Sequence, residues 1–362
     1  MLAYVLGLAV ACHAWPSYGG LRDPGNCNPL AKDSHCSPDS AFAGKRTFHF
    51  EGAEYNSDFE RFWTVDNQTS QDRGRLKFGN DNGLEVSLTE QKQAPTLTSH
   101  QYLLFGKVTV RLRAAKGFGL VSTVVLKSDS GDEIDWEMLG AYQNQAQSNY
   151  YFNGQPLFNT YNTTYPISSS SYEDFHTYTV EWTDKFLKFS IDGAERKTWQ
   201  IGEIPAEKWP QTPMQVKLGL WAVEGYNDPG EIAWAGGVPD WRNKPFTASF
   251  HSVEIEDYTG WCEEVEAGPV EYQYDDKMKG WADVRVAGCR KRRAPGVTAP
   301  APSGTSFPTS STASATNPGN AEPTNQGDNG DDSDDDEGSG RMLAPSVSLA
   351  LIASIYSAWF FL

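Results

Sequence analysis

The chain has little of what helical, metal-binding or nucleic-acid-binding proteins need. Its apolar residues do not settle into a sustained helical period, which argues against a helical bundle. Its six histidines are scattered singly, and its five cysteines show no zinc-ligand spacing. No metal or other cofactor is therefore expected. Positive charge is in the minority, with 30 Lys and Arg against 47 Asp and Glu and a formal net charge of −17. That balance argues against nucleic acid as a partner. Much of it comes from the run Asp328 to Glu337, which says little about the folded part. No internal repeat interrupts the sequence.

What is present at the two ends reads as targeting. An uncharged apolar run, LAYVLGLAVA, is followed by Ala11-Cys12-His13-Ala14. This pattern predicts a secretory signal peptide at residues 1–14, although no positive residue precedes the apolar core. A second apolar run closes the chain from Leu343 to Leu362, with no basic stop-transfer cluster after it. Its position fits a glycolipid (GPI) anchor signal at 341–362, with Asn329, Gly338 and Ser339 as attachment candidates. A retained membrane helix is the alternative. Between Ala294 and Gly340, Pro, Ser, Thr, Ala and Gly dominate, and Phe307 is the sole aromatic residue. Such a segment buries too little apolar surface to offset its ordering entropy, so 294–340 reads as a Ser/Thr/Pro-rich and acidic stalk. With Cys12 in the signal peptide, four cysteines remain, an even number that suits disulfides in a secreted chain. Three pairings are open; the local one, Cys27–Cys36 with Cys262–Cys289, closes the shortest loops. Sequons at Asn67 and Asn162 fit the same compartment. The expected location is outside the cell, anchored at the plasma membrane or in a wall, as a monomer.

The folded part is then about 20–290, and its local pattern is strand-rich. From Lys107, Val108, Val110 and Leu112 alternate with Thr109, Arg111 and Arg113. Residues His176 to Ile191 predict a hairpin that turns at Thr183-Asp184-Lys185, and Asp192-Gly193 predicts a further tight turn. Val216–Trp221 and Phe246–Ile255 predict more strands. Many short strands separated by Gly, Pro and Asn predict an all-β sandwich or barrel.

The chemistry concentrates in Asp132-Glu133-Ile134-Asp135-Trp136-Glu137-Met138-Leu139. On a strand, Glu133, Asp135 and Glu137 share one face, and Ile134, Trp136 and Met138 share the other. Three like charges on one face repel, so the row is expected where the acids are used. Glu133 and Glu137 lie about 13 Å apart along a strand at ~3.3 Å per residue. Side chains leaning together shorten that distance toward the roughly 5–5.5 Å used by retaining glycosidases. Asp135 between them can hydrogen-bond one glutamate and hold the two in different protonation states. The plainer readings are a solvated acidic edge or a calcium site. A calcium loop, however, mixes Asp, Asn and Gly in a turn rather than alternating acids with Ile and Trp. Segments 117–125 and 140–153 add Gly, Asn, Gln and Tyr, which suit sugar hydroxyls and sugar faces.

Glu133-Ile134-Asp135-Trp136-Glu137 resembles the E-I-D-x-E signature of family 16 glycoside hydrolases, which share a concanavalin-like β-jelly roll. The hairpin His176-x-Tyr178-x-Val180-x-Trp182 with Asp192-Gly193 also matches. Trp221 and the stretch Pro229 to Gly237 resemble the Crh-type branch, fungal cell-wall transglycosylases that link chitin to β-glucan. The resemblance implies Glu133 as nucleophile, Glu137 as proton donor and base, and Asp135 in support. It implies substrate contacts at Glu137, Lys217, Trp221 and Glu231, the last standing where the branch usually has Thr. Ala233 stands at a usually acidic position. The implied partners are a chitin donor, a β-glucan acceptor and a membrane reached through a GPI anchor. From the residues themselves, Gln147, Asn149, Tyr150, Tyr151 and Trp234 either line the cleft or fill neighbouring structure. Trp182, Trp199, Trp209 and Trp241 read as packing residues, and His176 reads as a hydrogen-bonded structural histidine. An endo-β-glucanase or chitinase-type hydrolase, and a non-catalytic sugar-binding wall protein, remain the alternatives.

Overall fold

A computed structural model describes residues 27–293 apart from 32–33, 67–74, 157–162, 206–207 and 276. The expected signal peptide at 1–14, the stalk at 294–340, the C-terminal signal at 341–362, and Asn67, Asn162, Asn329, Gly338 and Ser339 lie outside the described residues.

Two eight-stranded antiparallel sheets make up the body. In the first, the order is Gln155–Pro156, Gln145–Phe152, Glu133–Leu139, Leu120–Ser128, Met214–Ala222, Thr96–Ser99 and Trp63–Val65, with Thr163–Pro166 also paired to Gln145–Phe152. In the second, Ala194–Gln200, Phe186–Ile191, His176–Trp182, Gly106–Arg113, Phe246–Asp257, Gly83–Leu88 and Leu76–Gly79 follow one another. Lys45–His49 also pairs with Phe246–Asp257 there. Consecutive hairpin strands alternate with chain-distant neighbours, such as Leu120–Ser128 beside Met214–Ala222 and Gly106–Arg113 beside Phe246–Asp257, as in a jelly-roll sandwich. The hairpin His176–Trp182 with Phe186–Ile191 is where its alternation predicts it, and Asp192 enters its turn with a positive φ of 51°. Among the described residues the α-helices are short, including Ser57–Glu60 and Pro229–Trp234. The second opens on Asp228, whose carboxylate caps Gly230 N at 2.8 Å, with Pro at its first position.

The core lies between the sheets because each strand turns one set of alternate residues inward. Val108, Val110 and Leu112 pair with Val180, Tyr178 and His176 on one side and with Ile255, Val253 and Phe250 on the other, and all are buried. Trp136, on the inward face of the acidic strand, ties that strand to the second sheet. Its ring meets Tyr178 and Phe189 edge-on at 5.7 and 5.3 Å, and its Nε1 donates to Thr179 O at 3.1 Å. The acids on the opposite face are therefore mounted on a strand fixed by both backbone pairing and core packing. Trp182 and Trp209 are fully buried. His176 joins Asp192 at 2.7 Å and Ser169 at 3.2 Å, a structural bracket between loop and hairpin turn. Disulfides join Cys27 to Cys36 and Cys262 to Cys289. No described helix is long and apolar enough to cross a membrane.

Candidate active site

The acidic strand Glu133–Leu139 is central in its sheet, and every residue in it is buried. Ile134, Trp136 and Met138 belong to the core between the sheets. Glu133, Asp135 and Glu137 occupy the other face at 4, 3 and 5% exposure. Three carboxylates so withdrawn from water carry a large desolvation cost, and their surroundings divide that cost unequally.

Glu133 lies opposite Lys127 in the neighbouring strand, and the two side chains form an ion pair. The pairing follows from the tight turn Asp129–Gly131: Ser128 N donates to Asp132 O at 2.9 Å, and the next pair is Lys127 with Glu133. Glu137 lies opposite Thr123, and its charged neighbours are carboxylates. Burial, with the charges of Glu133 and Glu231, pushes its carboxyl up to about 8. Asp135 is held well above the usual carboxylate range by burial and by the charges of Glu133 and Glu137, against a smaller opposing effect of Lys127. A hydrogen bond with Glu133 raises it further. One glutamate thus has a cation at hand, while the other has only carboxylates as charged neighbours and a raised carboxyl.

The family model for Glycosyl hydrolases family 16 matches residues 56–236, half of the chain. The chain belongs to glycosyl hydrolase family 16. It is 34% identical over 264 residues to Crh-like protein 2 of Botryotinia fuckeliana, covering 72% of this chain and 54% of that protein. It is 36% identical to Crh-like protein 5 of Aspergillus fumigatus, covering 72% and 62%. The chain thus spans between half and two thirds of these curated relatives. A solved structure of a Crh5 transglycosylase in complex with NAG aligns with a TM-score of 0.62 at 34% identity, covering 72% of this chain and 99% of that one. A Bacillus licheniformis β-glucanase shares the fold, with a TM-score of 0.50 at 22% identity.

On this family 16 scaffold, strand register sets the other expected residues around the acids. Gln147 and Asn149 stand opposite Glu137 and Asp135 on the outer face. Tyr150 does not. It pairs with Ile134 and is fully buried in the core, so period two excludes it from the acid face, and Tyr151 beside Glu133 takes that place. Burial pushes the Tyr151 hydroxyl upward, and the charges of Asp135, Glu137 and Glu133 add to it. Lys217 lies two strands from Asp135 in the same row, through Val125. Its ammonium is held by Asp66 at 2.9 Å and Thr98 at 3.0 Å. Trp221 pairs with Val121, which pairs with Leu139, two residues past Glu137. Trp221 stacks on Trp234 with centroids 6.0 Å apart and planes 25° from parallel. Trp234 in turn donates to Gln147 Oε1 at 2.8 Å. Glu231, on the same short helix, accepts from Asn227 Nδ2 at 3.0 Å, and its field reaches Glu137.

Two site residues escaped the sequence reading: Lys127 and Asp66. Lys127 was findable, because a three-residue turn at Asp129–Gly131 sets Ser128 opposite Asp132, and the next pair is Lys127 with Glu133. Tyr150 and Tyr151 are equal candidates in the sequence, and parity decides for Tyr151, the partner of Glu133. Asp66 meets Lys217 only through tertiary pairing and carries no local signal.

Proposed function

We propose that this chain is a retaining transglycosylase that cleaves chitin and transfers the fragment to β-glucan. The observation that carries the reading is the unequal treatment of two glutamates on one strand face, Glu133 beside Lys127 and Asp135, Glu137 among carboxylates. Glu133 attacks the anomeric carbon as a carboxylate while the protonated Glu137 gives its proton to the departing glycosidic oxygen. A covalent glycosyl-enzyme results. An entering sugar hydroxyl then yields its proton to Glu137, its oxygen bonds to the anomeric carbon, and the bond to Glu133 breaks. Asp135 is a positioning residue; its proton stabilises the Glu133 carboxylate before attack and after release. Thr123 Oγ1, on the residue opposite Glu137, is buried without a hydrogen-bond partner. Trp221, Lys217, Glu231, Gln147 and Asn149 frame the sugar.

Support for transfer and for chitin comes from the neighbouring Crh5 transglycosylase, solved with NAG, the sugar unit of chitin. The reading includes a catalytic domain at 20–290, export through residues 1–14, and a glycolipid anchor at the end of a stalk, which would place the enzyme at the membrane or in the wall.

The test supplies purified protein with chitin oligosaccharides as donor and a fluorescent β-glucan oligosaccharide as acceptor. Labelled hybrid products from the wild type and none from Glu137→Gln are expected. Shortened donor without labelled product would make the protein a hydrolase. Binding without any product would return it to the sugar-binding wall proteins.

A further inference from the structure

Among the described residues the exposed large apolar side chains are Phe118 (61%), Tyr142 (37%), Tyr226 (66%), Val238 (41%) and Val265. Single exposed apolar residues are ordinary, but grouped ones mark contact surfaces. Four of these five gather at one end of the acid-bearing sheet. Phe118 precedes the start of Leu120–Ser128, Tyr142 follows the end of Glu133–Leu139, Tyr226 follows the end of Met214–Ala222, and Val238 follows the helix Pro229–Trp234. Because these strands are antiparallel, those termini lie on the same side.

The loops that carry them are tied together by backbone hydrogen bonds. Gly117 N donates to Gly140 O at 3.1 Å, Gly119 N to Ala235 O at 3.0 Å, and Val223 N to Gly119 O at 2.7 Å. Gly236, at φ 76°, lies so close that a Cβ there would come within 2.5 Å of the Ala141 Cβ and 3.4 Å of the Tyr142 hydroxyl. A Cβ on Gly237 would rest on the Phe118 Cβ at 3.6 Å. The rings are therefore held in place by a framework rather than trailing from loose loops. Beneath them, Val121, Leu139, Trp221, Val223 and Ala235 form a second apolar cluster, with Trp234 packed on it. This cluster is continuous with the acidic row, since Leu139 lies about 7 Å beyond Glu137 along the strand.

We propose that Phe118, Tyr142 and Tyr226 form an aromatic rim that holds the entering polysaccharide chain and thereby favours transfer over hydrolysis. The inference rests on the reading of Glu137 as acid and base. The leaving chain and the entering chain both exchange a proton with Glu137, so both occupy its side, and the rim borders that side. Flat rings bind the C–H faces of neutral sugars without requiring charge on the polymer. An exposed ring gains nothing from water, which needs no such surface. A rim that retains a second sugar chain raises its local concentration at the glycosyl-enzyme.

The test compares wild type with Phe118→Ala, Tyr142→Ala and the double variant, using Val265→Ala, on a different sheet, as the surface control. Labelled β-glucan acceptors of increasing length are supplied to each, and transfer and hydrolysis products are counted separately. In the wild type, the transfer-to-hydrolysis ratio should climb with acceptor length. In the double variant the ratio for long acceptors should fall about tenfold, equivalent to about 1.4 kcal/mol, and the length dependence should flatten. Short acceptors and Val265→Ala should behave as wild type. An unchanged length dependence in the double variant would overturn the rim. Should the wild type turn over no sugar, the proposed function fails separately. The rim is then read from binding of long β-glucan oligosaccharides to Glu133→Gln. Binding weakened by adding Phe118→Ala and Tyr142→Ala supports it, and equal binding rejects it.

Discussion

Two sets of buried carboxylates in this fold differ in what surrounds them rather than in how deeply they sit. Asp132 and Asp257 are fully buried, and burial raises both carboxyls, Asp257 to about 7. Each is nevertheless ringed by donors. Asp132 accepts from Asn153 N, Gln211 N, Thr212 N and Thr212 Oγ1 at 2.8–3.2 Å. Asp257 accepts from Tyr272 at 2.5 Å, Gly260 N at 2.9 Å and Ala43 N at 3.2 Å. These acids fasten loops. In the acidic row, by contrast, Asp135 and Glu137 have other carboxylates as their strongest charged neighbours, and Asp135 Oδ1 has no partner. A raised carboxyl alone therefore does not mark a catalytic acid; a raised carboxyl short of donors and facing its own kind does.

The comparison breaks most visibly at Glu133. Replacing it with Gln should lower turnover at least ~10⁴-fold, in the range for removing a nucleophile, while circular dichroism and sugar binding stay intact. Asp132→Ala should do the opposite, costing about 3 kcal/mol or more in denaturant unfolding because it leaves buried backbone donors unpaired. Loss of turnover in Asp132→Ala without loss of stability would erase the distinction.

Glu137 sharpens the contrast through pH. Its folded carboxyl is raised, so the folded state binds more protons than the unfolded state between its ordinary value of 4.5 and about 8. Stability from this group is thus fully present below the lower value and falls as pH rises through the upper one. Glu137→Gln removes that dependence and should be more stable than wild type at pH 9, by several kcal/mol, with little difference at pH 4. Wild-type turnover should fall as pH rises past about 8, where the proton donor is lost. The smallest effect is expected at Trp234→Phe, which keeps the stacking surface and loses the bond to Gln147, at about 1 kcal/mol in substrate binding.

Much of this arrangement was legible in the sequence because it rests on period two. Alternation in Glu133–Leu139 separates the acids from Ile134, Trp136 and Met138, and the hairpin from His176 follows from its own pattern. The same rule, carried one strand further, would have moved Tyr150 to the core. Contacts between chain-distant segments were not legible. Lys217 with Asp66, Gln147 with Trp234, and the gathering of Phe118, Tyr142 and Tyr226 depend on strand order, which no local window encodes. The helix Pro229–Trp234 is a single short piece inside a glycine-rich stretch, too brief to leave a period.

The central claim is that Glu133 bonds to the sugar while Glu137 handles the proton. Glu137→Gln should be mixed with a chitin oligosaccharide bearing an activated aryl leaving group, which departs without an acid, then quenched and digested for peptide mass spectrometry. The account predicts one equivalent of released aryl group and a glycosyl adduct on Glu133, absent when Glu133→Gln is added. Release of the aryl group with the adduct on another residue, or undiminished release in the double variant, would contradict it.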